Sequence, residues 1–165
     1  MYGSFLRLEK YMSEKKDNVI DLSEFVTQDN AEKGLWFDLV IGGRTTGVEI
    51  NVLGKDSERV AIYAKKAEKR MTKMFQSALT GKKNTFDADD EEEARRDIDD
   101  RIDSAVVRTN GIRKKGGGIV VVNGQEIGQD EESYRYFYRL IRDAVDFVID
   151  KSADRSNFLS GRKKS

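Results

Sequence analysis

Apolar and polar residues alternate strictly from Leu35 to Ile41, which places Leu35, Phe37, Leu39 and Ile41 on one side of an extended chain. Gly42-Gly43 follows, a pair suited to the positive φ of a tight hairpin turn, and Val48, Ile50 and Val52 alternate on the way back. The pattern predicts a β-hairpin over Leu35–Leu53 with both apolar rows on its buried face. Gly54 ends the strand, and Asp56 or Ser57 is positioned to cap a helix with Glu58 in its first turn. From there the period changes. Val60, Ala64, Ala67, Met71, Met74, Phe75 and Ala78 recur at three- and four-residue spacing, predicting a helix that lies on the core and stops at Gly81. Lys65, Lys66, Lys69, Arg70 and Lys73 cover its other side. Ala94, Ile98, Ile102, Ala105 and Val106 give a second helix a narrow stripe, with an end expected near Asn110-Gly111. Residues 112–128 read as irregular, with a strand at Ile119–Val122, a turn at Asn123-Gly124 and a short return through Gln125-Glu126-Ile127. Asp130 then caps a last helix, whose stripe Tyr134, Phe137, Tyr138, Ile141, Ala144, Val145 and Val148 is the clearest in the chain.

These elements predict an α+β fold, a small β-hairpin or sheet packed with three main helices. Residues 1–18 are expected to be a flexible leader and 19–160 a single domain. Within that domain, 19–81 holds the hairpin and basic helix, 82–93 an acidic linker, and 94–160 a helix-hairpin-helix unit. Residues 161–165 are expected to be a loose tail.

Composition narrows the chemistry. Of 165 residues, 38% are hydrophobic and 36% charged, which implies a thin core under a heavily charged surface. Lys+Arg and Asp+Glu number 30 each, so the overall basic excess that drives phosphate binding is absent and no nucleic-acid partner is expected. The chain has no Cys, His or Pro. It therefore lacks thiolate nucleophiles, disulfides and the commonest general base and zinc ligand. No apolar run is long enough for a signal peptide or a membrane helix. No catalytic residue, cofactor or metal site is expected.

Four motifs invite a functional interpretation, and each has a plainer one. Gly42-Gly43-Arg44-Thr45-Thr46-Gly47 looks like a phosphate loop, but no Gly-Lys-Ser/Thr follows and Val48 opens a strand, which favours a hairpin turn. The acidic run Asp87–Glu93 lacks the alternating ligands and glycine of a calcium loop, which favours a solvated helix start. Arg108, Arg113, Lys114 and Lys115 form a basic patch beside Gly116-Gly117-Gly118 without interleaved aromatics, which favours an exposed loop. Tyr134, Tyr136 and Tyr138 are first of all core candidates, although Tyr136 falls off the main stripe and tyrosine is common at interfaces.

Taken in order, Thr46-Gly47, Val52-Leu53-Gly54-Lys55-Asp56-Ser57 and its following helix, Ala105 to Ile112, Val122-Asn123-Gly124-Gln125-Glu126, the last helix and Asp154-Arg155-Ser156-Asn157-Phe158-Leu159 resemble phage tail assembly chaperone-like proteins. The resemblance covers about two-thirds of the chain and rests on the ordered set of motifs. It implies a protein of the host cell cytoplasm that holds the long, helical tape measure protein soluble until tail tube subunits polymerise around it. The partner-binding residues expected on this basis are Tyr134, Tyr136, Tyr138, Ile141, Phe158 and Leu159. Replacing Phe158 by Asp is expected to weaken capture of the partner and leave the fold intact. The Lys163-Lys164 pair suggests a slippery coding run, so the chain is expected to be the short form of a pair whose longer member arises by frameshift. Self-association is left open. The rival classes are a structural virion or other morphogenesis protein, a carboxylate-based metal-dependent enzyme, and a regulator whose acidic face imitates nucleic acid.

Overall fold

A computed structural model describes residues 18–80 and 90–160. The leader up to residue 17, most of the acidic linker and the basic tail lie outside the described residues. The fold is α+β. Strand β1 (Leu35–Ile41) pairs antiparallel with β2 (Arg44–Val52), and β2 pairs in turn with β3 (Thr109–Lys114), giving the order β1-β2-β3. The expected hairpin is present, with Gly42 and Gly43 at φ 58° and 77°, the doubly positive geometry that matches strand twist. Phe37 faces Ile50 and Leu35 faces Val52, so the two apolar rows do share a face. Leu39, Ile50 and Val52 are buried there, and Ile112 of β3 joins them.

That third strand is a correction. The helix expected to run to Asn110 ends at Val107, and the segment expected to be irregular begins as an edge strand. The composition Thr-Asn-Gly-Ile-Arg-Lys is poor for a strand. Pairing to β2 decides the matter, with Ile112 opposite Ile50 and fully buried. The predicted second hairpin forms from β4 (Val120–Val122) and β5 (Gln125–Ile127), turned by Asn123 and Gly124, both at positive φ.

The described residues hold five α-helices. A short α1 (Gln28–Lys33) precedes the first strand, and Ala31 is its one buried residue. Next come α2 (Glu58–Leu79) and α3 (Asp90–Val107), followed by α4 (Glu131–Leu140) and α5 (Arg142–Ala153). Ser57, not Asp56, caps α2 by accepting from the Val60 amide, and Asp130 caps α4 through the Ser133 amide as expected. The single last helix of the sequence reading is broken at Ile141, whose φ −109° and ψ 75° are not helical. A straight helix over the same stretch would be about 34 Å long, longer than so small a core. The break lets Tyr134, Phe137 and Tyr138 on one side and Ala144, Val145 and Val148 on the other enter the same cluster with Ile50, Val106 and Ile112.

The C-terminal turn Arg155–Phe158 is tied across the molecule. Asn30 Nδ2 donates to the carbonyls of Phe158 and Leu159 at 3.2 and 3.0 Å, and the Ser160 amide donates to the Val26 carbonyl at 3.0 Å. Phe158 is buried, with its ring edge-on to Phe37 at 6.3 Å.

Candidate functional site

Helix α2 differs from the helix the pattern predicted. Its stripe was expected to lie on the core, yet Val60 is its only buried residue. Tyr63 and Ala67 are half-buried, and the Tyr63 hydroxyl approaches the Asp100 carbonyl of α3 at 3.4 Å. Beyond that point the same face continues uncovered: Met71, Met74, Phe75 and Leu79 are 71%, 72%, 67% and 72% exposed. The physical reason is length. At 22 residues α2 extends about 33 Å, and the core supports only its first turns. The first half of α3 is less bare, with Ala94 exposed, Ile98 37% exposed, and burial beginning at Ile102. The outer half of α2 and the first half of α3 form an arm that extends beyond the core, while the second half of α3 packs with α4 and α5.

The arm is strongly polarised. Helix α2 carries six cationic and two anionic side chains, α3 three cationic and eight anionic. Among the described residues no ion pair joins the two helices. Arg59 pairs with Glu131, Arg96 with Glu92, Arg101 with Asp146, and Arg135 with Asp103. Lys65, Lys66, Lys69, Arg70 and Lys73 take part in no ion pair among the described residues. An exposed apolar stripe beside charged residues is a candidate interaction surface. Its two methionines are unbranched and adapt to irregular partners.

The residues expected to bind a partner are dispersed in their roles. Tyr134, Tyr138 and Phe158 are 6%, 0% and 1% exposed and offer no surface. Burial pushes the Tyr138 hydroxyl well above its ordinary pKa, and that hydroxyl is 2.5 Å from Thr109 Oγ1, which itself donates to the Ala105 carbonyl. Tyr136, Ile141 and Leu159 are half-buried, so only these three of the six reach solvent. Phe158→Asp is therefore no surgical change. It would place a carboxylate in the core beside Gly54 and Phe37 and disrupt the fold.

The basic patch is largely neutralised. Arg113 stacks on the Trp36 ring at 3.7 Å and reaches Glu49 at 3.4 Å, while Lys115 pairs with Asp38 at 3.1 Å. Arg108 is bound to Ser104 within its own helix turn. Among the described residues no group of three or more Asp or Glu is placed to hold a metal ion, and no helix is long and apolar enough to cross a membrane. Comparisons with protein-family models, curated proteins and solved structures give no match. The arm is thus the strongest candidate site; in the sequence, Met71, Met74 and Phe75 continue the stripe that begins at Val60 and so read as core.

Proposed function

We propose that this chain is a non-catalytic tail assembly chaperone, which binds and solubilises the tape measure protein in the host cytoplasm during tail assembly. The uncovered stripe of α2 is the observation that supports this reading. A long helical client exposes apolar stripes of its own until tail tube subunits enclose it, and a helix laid along Met71, Met74, Phe75 and Leu79 would shield both partners. Covering those four side chains is worth about 6 kcal/mol gross. Association costs are of comparable size, which suits reversible holding over permanent capture.

Co-expression with the tape measure protein tests the reading. The soluble fraction of the client should be high with the wild-type chain and should collapse with Met71→Gln, Met74→Gln and Phe75→Gln combined, while the variant's helical circular dichroism stays unchanged. A client that remains soluble with this variant removes α2 from the binding surface.

A further inference from the structure

We propose that Asn123 is a site of spontaneous modification, where the side-chain amide is lost to give aspartate and isoaspartate, and that the fold denies the same chemistry to Asn110. These are the two asparagines that precede a glycine, at Asn110-Gly111 and Asn123-Gly124. The reaction is internal to the chain and independent of any client. The nitrogen of the following residue attacks the asparagine Cγ and forms a new C–N bond. The side-chain amide leaves as ammonia, taking the proton that the attacking nitrogen gives up. Water then opens the five-membered imide at either of its carbonyls, so asparagine and water become ammonia and aspartate or its main-chain isomer. Glycine favours the attack because no Cβ obstructs its nitrogen. In the sequence the two sites are alike, and only their surroundings differ.

Asn123 and Gly124 are the central residues of the turn between β4 and β5, at φ 49° and 79°. Val122 and Gln125 close the ladder on either side, so the peptide joining Asn123 to Gly124 can rotate without opening a strand pair. Both residues are exposed, and a Cβ on Gly124 would meet nothing within 4 Å. Asn110 is also exposed, but it lies in β3 and the chain on both sides of it is held. The Thr109 hydroxyl donates to the Ala105 carbonyl at 2.7 Å and lies 2.5 Å from the Tyr138 hydroxyl. Gly111 stands opposite Asn51 in the ladder and is buried against the Trp36 ring. One residue on, Gln129 engages both main-chain groups of Ile112, accepting from its amide at 3.0 Å and donating to its carbonyl at 2.6 Å. Turning the Gly111 nitrogen towards Asn110 Cγ therefore requires β3 to open first. Isoaspartate at 123 would add a main-chain carbon to a two-residue turn, disturbing the pairing that keeps Val120 and Ile127 in the core cluster.

Timed incubation of the full wild-type chain at mildly alkaline pH, followed by trypsin digestion and mass spectrometry, tests the assignment. Cleavage after Arg108, Arg113, Lys115 and Arg135 places the two sites in separate peptides, 109–113 and 116–135. The rate at each site in guanidinium-unfolded chain, divided by its rate in folded chain, gives the protection that the fold confers there. Protection should be at least about tenfold greater at Asn110 than at Asn123, because reaction at Asn110 waits for local opening. Aspartate and isoaspartate have equal mass and separate by chromatography, and both should appear at residue 123. A smaller or reversed difference in protection overturns the proposal. Aspartate without isoaspartate at residue 123 overturns it as well, since direct hydrolysis would then replace the imide.

Discussion

Asp56 lies between three segments distant in sequence. It accepts from Thr27 Oγ1 at 2.5 Å and from Arg155 Nε and Nη2 at 2.9 Å, and so connects the start of α1, the entry to α2 and the C-terminal turn. The Arg155 hydrogen bonds hold its carboxyl below the usual 3.8, against a smaller opposing effect of burial. Because the folded-state pKa is the lower one, the stabilisation is complete above the unfolded value and is lost as pH falls through the folded pKa. The wild type should therefore lose more stability below about pH 4 than Asp56→Asn, which has nothing to titrate there. Equal acid sensitivity of the two proteins in denaturant melts would remove Asp56 from this role. Phe158 sets the opposite scale of effect. Phe158→Asp should cost at least about 3 kcal/mol, read as a fall in the denaturant midpoint, since it combines a lost core ring with a buried charge. Leu159→Asp at the half-buried neighbour should cost far less.

At the scale of elements, α2 divides into a supported base and a free end. Val60→Ala should destabilise by about 2 kcal/mol, whereas Met74→Ala should change stability by less than about 0.5 kcal/mol, both measured by urea unfolding. Comparable losses at the two sites would mean that the outer stripe is packed after all. The β3 edge offers a second check. A Cβ on Gly111 would sit 2.8 Å from Trp36 Cη2, so Gly111→Ala should displace the ring from its stack with Arg113. Trp36 is the only tryptophan, and its emission should shift as the ring moves; an unchanged spectrum would contradict the contact. The hairpins, a cap at Asp56 or Ser57, the cap at Asp130 and the stripes of α3 to α5 were legible, because local period and turn chemistry specify them. Strand β3 was not, because Thr109–Lys114 is a strand only by pairing with β2. The break at Ile141 was hidden for a similar reason, since no Gly or Pro marks it and the packing of both halves into one cluster decides it. The candidate surface was misplaced by one assumption, that an apolar stripe is a buried stripe. Periodicity reports which residues share a face and not what covers that face, so α2 and α4 looked equivalent while one projects and the other is enclosed.

Across the whole molecule, the sheet and helices α4 and α5 form a well-buried base, and the polarised arm carries the large apolar stripe on α2. Such a division assigns stability to the base and, on the proposed reading, contact to the arm. Hydrogen exchange on the full chain, with and without the proposed tape measure client, measures that division most directly, because bound surface and core report separately. The expected result is marked slowing of amides from Glu68 to Leu79 on adding the client, with β1, β2 and α5 already slow and unchanged. Protection confined instead to Tyr136, Ile141 and Leu159, with α2 exchanging as before, would contradict the assignment of contact to the arm.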